Sequence, residues 1–376
     1  MKLVFLINNG KEVAGGSYAQ YKFGEYLAKR GNYVTIFGGD RPVFFKNYQL
    51  PKKLKLNFRG KFPKLFKGWE VIDTIWKKIY LHFVIIPYMK KEKPDYIVGF
   101  LREEAITTVK LSKKLGIKSI NFIFETPIWM KKQIGNRFKN EYRGKFKKSW
   151  EKTKFAYQET NFLIPNSELT RKECSQWLKR IVEVPIYPGM DFIRKKSNIR
   201  EKNQIIYIGR LNEYKNVDIL IEALSMVKDA PKLVIIGCGE EENKLKGLSN
   251  KLNVKCDFKG RVTDEEKWLE LRKSMFMVFP SSFEGFGIPP AESLICGKPC
   301  ICSHIPIFHE VYQNKVEYFE ENNVIDLAKK IKFLLNNANY RKKKGKEGKK
   351  YVKSKFSWKK SAEKIEKILT DYKNEQ

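Results

Sequence analysis

Short apolar runs alternate with amphipathic helical stretches along nearly the whole chain, and this alternation most limits the folds open to it. Residues 2–7 form an apolar run, followed by the loop NNGKEVAGGS, a helical pattern from Tyr18 to Lys29 and a second strand from Tyr33 to Gly38. Strand-like runs recur at Tyr96 to Phe100, Ile120 to Phe124 and Asn161 to Ile164, with a helical stretch from Glu103 to Leu115 between the first two. A second series follows: QIIYIG, a helix over Val217 to Val227, KLVIIG, a helix over Glu241 to Leu252, KCDFKG, a helix over Asp264 to Ser274, MFMVFP, and a helix over Pro290 to Cys296. Strands joined through helices cross over and pair in parallel, so each series predicts a doubly wound α/β sheet. Between them VPIYPGMD, with two prolines and a glycine, predicts an extended connection. The expected architecture is two Rossmann-like domains facing a central cleft at the carboxyl ends of their strands.

At 376 residues with 42% apolar content, the chain is long enough for two cores and is not a disordered tail. Its longest apolar stretches fall short of the ~20 residues a spanning helix needs. Met1 leads straight into LVFLI without a signal-peptide pattern, which predicts a cytoplasmic protein. The six cysteines are unevenly spaced, as reduced thiols would be rather than a disulfide framework. Net charge is +33, and residues 1–200 contribute +25 of it against +8 for the remainder. That asymmetry points to an anionic partner, a membrane surface or nucleic acid, unless it reflects lysine-rich composition alone. Basic and aromatic residues mix in KFPKLFKGWEVIDTIWKKIYLHFVIIPYMKKEK and in WMKKQIGNRFKNEYRGKFKKSWEKTKF, setting basic clusters beside Trp69, Trp76, Trp129 and Trp150. Such stretches suit an anionic bilayer. No nucleic-acid motif accompanies them, so nucleic acid is the weaker expectation.

The most specific segment is SSFEGFGIPPAESLICGKPCI, where Glu284 and Glu292 bracket seven residues between a strand end and a helix start. Gly285 and Gly287 let the backbone approach a ligand, and Pro289 and Pro290 suit a first helical turn. Carboxylates accept from sugar and ribose hydroxyls, and the helix N-terminus favours phosphate. Upstream, YIGRLNEYKNVDILIEAL places Arg210 and Lys215 after a strand end, a fork of donors and a mobile point charge suited to a diphosphate. Gly15 and Gly16 lie between the first strand and its helix, where backbone N–H groups can meet a donor phosphate or an acceptor.

The 284–292 segment resembles the E-x7-E motif of retaining glycosyltransferase family 4, and GKPCICS resembles that family's next helix-to-strand turn. The resemblance implies the GT-B fold, with an acceptor-binding domain over residues 1–188 and a nucleotide-sugar-binding domain over 189–355. It also implies a terminal helix over 356–376, FSWKKSAEKIEKIL, crossing back to the first domain. It implies retaining transfer of a hexose-like sugar from a nucleoside diphosphate sugar to a glycan or lipid-linked acceptor. Arg210 and Lys215 would then hold the diphosphate, Glu284 would orient the sugar and Glu292 the ribose. Gly285, Phe286 and Gly287 would line the donor site, Val262 would run near the base, and Gly15 and Gly16 would join the site from the first domain. Where many relatives carry a histidine after the central strand, often in T-x-H, this chain reads NFIFETPIW and offers Glu125, as a proton acceptor or a structural substitute. Arg102, Glu103 and Glu104 follow another strand end and read as solvated charges. No cofactor or metal is expected, because the sequence has no D-x-D, and Cys300, Cys302 and His304 alternate along a strand rather than in zinc-like spacing. Alternatives left open are a basic nucleic-acid-binding protein and another GT-B enzyme such as a nucleotide-sugar epimerase.

Overall fold

The computed structural model describes residues 1–7, 15–39, 49–59, 69–124, 126–127, 147–190 and 199–374. The chain divides into two compact units, the first built from Met1–Ile128, Asn136–Gly189 and Trp358–Gln376, the second chiefly from Met190–Ser357.

The first unit is a six-stranded parallel sheet in the order β3-β2-β1-β4-β5-β6. Its strands are β1 (Lys2–Ile7), β2 (Tyr33–Gly38), β3 (Leu54–Phe58), β4 (Tyr96–Gly99), β5 (Lys118–Ile123) and β6 (Phe162–Pro165). Its helices are α1 (Gly15–Lys29), α2 (Trp69–Tyr80), α3 (Ile86–Glu92), α4 (Arg102–Leu115), α5 (Lys147–Gln158) and α6 (Glu168–Leu178), with a π turn at Leu81–Ile85 joining α2 to α3. Sequence periodicity starts α1 at Tyr18; the helix begins three residues earlier, at Gly15. Strand β3 escaped the sequence reading because KLKLNF alternates lysine with leucine, as a half-buried edge strand does. The core is aromatic, with Phe100 stacked on Phe122 at 4.7 Å and Phe23 on Phe122 at 5.0 Å. Trp150, which the sequence groups with a basic membrane face, is 1% exposed and packs edge-on to Trp177 at 5.6 Å. Burial of that large ring outweighs the lysines around it, so it is a core residue.

The second unit repeats the plan in the order β12-β11-β10-β7-β8-β9. Its strands are β7 (Gln204–Ile208), β8 (Lys232–Ile236), β9 (Cys256–Gly260), β10 (Met277–Phe279), β11 (Cys300–Ser303) and β12 (Glu317–Phe319). The helices are α7 (Val217–Ser225), α8 (Glu242–Lys251), α9 (Asp264–Lys273), α10 (Ile288–Ile295), α11 (Pro306–Tyr312), α12 (Val324–Asn336) and α13 (Ala338–Lys355). Strands β7, β8 and β10 are apolar and buried at nearly every position, as a sheet covered on both faces requires. The order of winding reverses between β7 and β10, which makes their carboxyl ends the switch point of the sheet. Among the described residues no helix is long and apolar enough to cross a membrane.

The last helix, α14 (Trp358–Asn374), packs in the first unit. Trp358, Ala362, Ile365 and Leu369 form its buried stripe, and Trp358 meets Phe23 edge-on at 5.2 Å. Arg30 pairs with Glu363 at 2.8 Å, and Ser361 donates to the Tyr187 carbonyl at 2.7 Å. A methyl group on Gly189 would lie 2.2 Å from the Trp358 backbone nitrogen. Gly189→Ala is therefore expected to cost about 1–3 kcal/mol through overpacking. Gly247→Ala, where a methyl group meets nothing within 4 Å, should instead stabilise, by about 0.5–1 kcal/mol. Urea denaturation of both variants checks the contrast, and equal effects would refute it.

Candidate active site

Two loops leave the switch point of the second sheet, 209–216 after β7 and 280–287 after β10, and backbone bonds lock one to the other. The Ser282 N–H donates to the Tyr214 carbonyl at 3.0 Å. The Asn216 amide donates to the Pro280 carbonyl at 3.1 Å and to Ser282 Oγ at 2.6 Å. Asn216 reaches both because its backbone is left-handed, with φ 50°, a conformation its short polar side chain tolerates.

That lock brings Lys215 and Glu284 together: Lys215 Nζ is paired with Glu284 Oε1, with the side chains 8% and 13% exposed. The ammonium also sits over the rings of Tyr214, at 4.8 Å, and Phe279, at 5.3 Å. Burial pulls the Lys215 pKa below the ordinary lysine range; Glu284 opposes that shift and the nearby Arg210 adds to it. Arg210 is exposed and held by its neighbours, its guanidinium donating to the Tyr214 hydroxyl at 2.8 Å and its carbonyl accepting from Tyr207 at 2.8 Å.

Gly287 is the N-cap of α10; its φ of 81° suits glycine, and a Cβ there would lie 2.6 Å from the Phe308 ring. The buried Tyr312 hydroxyl donates to the Gly287 carbonyl and accepts from Ala291 N at 3.2 Å, which fixes the helix start. Glu292 is the fifth residue of α10 and so lies one turn in from the helix start, past the first turn where the sequence places it, and it accepts from Lys267 of α9 at 2.7 Å. Lys267 also pairs with Asp264 at 3.1 Å. Burial works to lower the Lys267 pKa, but the two carboxylates outweigh it and the net shift is upward. Lys267 and Tyr312 are the parts of this site that sequence reasoning missed. Lys267 looked like an ordinary polar residue in TDEEKW, and nothing local to Tyr312 ties it to a helix more than fifteen residues away.

The glycines of the neighbouring loops are structural. A methyl group on Gly237, φ 132°, would lie 1.8 Å from the Gly209 carbonyl oxygen, and one on Gly239 would lie 2.2 Å from that of Leu211. These close approaches carry Gly209 N to Ile236 O at 3.0 Å and Leu211 N to Cys238 O at 3.0 Å, so the loop holding Arg210 is braced by the loop after β8. Val262 is half-buried in the turn before α9, beside Arg261, whose Nε donates to Cys238 Sγ at 3.0 Å. Gly285 is half-buried, whereas the Phe286 ring is 4% exposed and packs on Phe356 at 5.2 Å. Phe286 thus anchors the loop to α13's end, and its side chain is spent on the core.

In the first unit Gly15 and Gly16 open α1, and Glu125 lies outside the described residues. At the end of β4, Glu104 is not a solvated charge. It is 3% exposed, and its carboxylate accepts from Phe100 N at 3.2 Å and Leu101 N at 2.9 Å, capping α4. The Arg102 guanidinium lies over the Trp150 ring at 4.6 Å. His304 meets His309 edge-on at 4.2 Å between ring centroids, and His309 stacks on Tyr318 at 4.1 Å. Among the described residues no three His, Cys, Asp or Glu side chains gather as metal ligands.

Residues 189–351 match the family model described as Glycosyl transferases group 1. The chain is 31% identical over 223 residues to an uncharacterized glycosyltransferase of Methanocaldococcus jannaschii, a match covering 58% of this chain and 62% of that protein. It is 24% identical over 289 residues, 72% of this chain and 74% of the other, to a Campylobacter jejuni alpha-1,4-N-acetyl-D-galactosaminyltransferase whose name gives an undecaprenol diphosphate-linked glycan. The structure of Anabaena HepE in complex with UDP and glucose covers 99% of this chain and 100% of its own, with a TM-score of 0.77 and 14% identity. The fold is GT-B, and residues 189–351 are similar to the group 1 glycosyl transferases.

Lys267→Met would leave Glu292 and Asp264 facing each other without a counter-charge, and is expected to cost about 3 kcal/mol. Because the Lys267 pKa is raised on folding, its contribution is complete below the unfolded lysine value of about 10.4 and is lost as pH rises through the folded value. Urea titrations of both proteins from neutral to alkaline pH should therefore show a constant gap that narrows only in the alkaline limb. A gap that grows with pH would contradict the pairing.

Proposed function

We propose that the protein transfers a hexose-like sugar from a nucleoside diphosphate sugar to a glycan or lipid-linked acceptor, with retention of anomeric configuration. The observation that carries this reading is the placement of Arg210, Lys215 and Glu284 on loops from adjacent strands at the switch point, beside α10, which carries Glu292. Arg210 presents a fork of donors to a diphosphate, and Lys215 lies next to it. Only one oxygen of Glu284 is taken by Lys215, and the other suits a sugar hydroxyl. Glu292 is likewise held through one oxygen by Lys267, which supports a role in accepting from a ribose hydroxyl. Val262 and the backbone of 285–287 complete the donor side in this reading. Gly15, Gly16 and Glu125 belong to the first unit, to which we assign the acceptor.

Glu284 is engaged in an ion pair and is read as orienting rather than attacking, so the E-x7-E resemblance to family 4 favours front-face displacement. The bond from the anomeric carbon to the diphosphate oxygen breaks, and the bond to the acceptor oxygen forms on the same face. The acceptor proton passes to the departing phosphate. Arg210, Lys215 and the N–H groups of α10 stabilise the charge that develops there, in place of a metal ion. The undecaprenol-linked acceptor named for the Campylobacter relative supports a lipid-linked acceptor here, and with it a peripheral location on the cytoplasmic membrane face.

A panel of nucleotide sugars, read for binding, hydrolysis and transfer, tests the reading. Glu292→Ala should retain the fold and lose at least ~100-fold in activity, equivalent to several kcal/mol of transition-state stabilisation. Glu284→Gln should lose transfer while keeping nucleotide affinity, and Arg210→Ala should abolish transfer. Chelators should leave activity nearly unchanged. Full activity in folded Glu292→Ala, or strict dependence on magnesium or manganese, would refute the assignment. An epimerised donor with no acceptor product would favour the epimerase alternative, and tight RNA or DNA binding without nucleotide-sugar binding the nucleic-acid one.

A further inference from the structure

The helical segment running from α2 through the π turn into α3 has two apolar faces, and the sheet covers one of them. Ile85, Ile86 and Met89 are buried against Val4, Leu6, Phe37 and Ile97. Tyr88 meets Thr35 at 2.7 Å, and the Arg59–Asp73 pair at 2.7 Å ties α2 to the end of β3. The other face exposes Ile75 at 50%, Trp76 at 37%, Ile79 at 40%, Phe83 at 77% and Val84 at 41%. Twelve large hydrophobic side chains are exposed to this degree among the described residues, and five of them fall in these ten positions. Singly exposed apolar residues are ordinary, but a contiguous group marks a contact surface. The spacing 75, 76, 79 and 83 keeps the group on one side of the helical segment.

Charge identifies the partner. Lys78, Lys90, Lys91 and Lys93 are exposed along the same segment. Its described carboxylates are already engaged, Asp73 with Arg59 and with Lys77 at 3.3 Å, and Glu92 with Lys2 at 3.7 Å. A second copy of this chain would set these lysines against themselves, in a protein of net charge +33. A nucleic acid would gain little from isoleucine, valine and phenylalanine placed without flanking base-edge donors. An anionic bilayer satisfies both features, taking aromatic and aliphatic side chains into its interface and lysines at its headgroups.

We propose that the exposed face of residues 75–84, with its flanking lysines, is a docking surface for anionic phospholipid. It stands independently of the reaction assigned above, since none of these residues belongs to the donor site. It also moves the membrane-facing surface away from Trp150, which is buried.

The test is co-flotation of the full chain with vesicles of equal parts phosphatidylglycerol and phosphatidylcholine, and with vesicles of phosphatidylcholine alone. Two multiple variants accompany it, Trp76→Ser with Phe83→Ser, and Lys78→Glu with Lys90→Glu and Lys91→Glu. All five positions are exposed, so circular dichroism and thermal melting should match the parent. The parent should float with the anionic vesicles in a salt-sensitive manner, and each Lys reversal should weaken partitioning at least fivefold, together ~100-fold. The Trp76/Phe83 variant should lose at least ~10-fold. Unchanged flotation of both variants, or equal binding to neutral vesicles, would overturn the proposal. So would a concentration-dependent dimer that the same substitutions abolish, which would make a second copy the occupant. Nucleotide-sugar binding should be unaffected in both variants, so a failure of docking and a failure of the assigned reaction read out separately.

Discussion

The reversal of winding between β7 and β10 is the constraint on which the second unit's chemistry depends. In a parallel sheet, consecutive strands are joined by helices on one face or the other, and only at the reversal do two neighbouring strand ends send their loops apart and leave room above them. Here those loops do not remain independent. Asn216 in its left-handed conformation and the Ser282 to Tyr214 backbone bond clamp them, and the ion pair of Lys215 with Glu284 is the result. The glycines at 237 and 239 let the third loop press against the first, so Arg210 projects from a braced backbone rather than a free one.

Two half-buried or buried lysines sit under two glutamates, and the physics of that arrangement is informative. Removing an ammonium from water is costly unless a carboxylate lies beside it, and a carboxylate so engaged keeps one oxygen for another partner. Lys215 and Lys267 differ in balance: burial dominates at the first and the two carboxylates dominate at the second. Lys267, paired with both Asp264 and Glu292, ties Glu292 of α10 to α9, and Tyr312 holds the start of α10. Groups held in this way do not have to move when a ligand binds.

The first unit concentrates the positive charge, but charge alone does not say where a surface lies. Trp76 and Trp150 sit in similar basic, aromatic sequence and have opposite fates, one 37% exposed and the other 1%. Phe286 lies in the most motif-like segment of the chain, yet its ring fills the core beside Phe356. In each case the deciding quantity is the apolar area that neighbouring elements can cover, which is a property of the packed unit.

The sequence by itself determined the alternation of strand and helix, the two α/β units and the candidate residues Arg210, Lys215, Glu284 and Glu292. These are local quantities, set by apolar periodicity, by glycine and proline punctuation and by the order of residues within a loop. Edge strands such as β3, with its lysine and leucine alternation, were not legible, because a half-buried edge carries too few apolar positions to stand out. The partners of the site were not legible either. Lys267 and Glu292 are 25 positions apart, Tyr312 and Gly287 also 25, and Lys215 and Glu284 69. Which lysine reaches which glutamate depends on strand order in the sheet and on the distance between two helices, and those are decided only when the chain has closed its core.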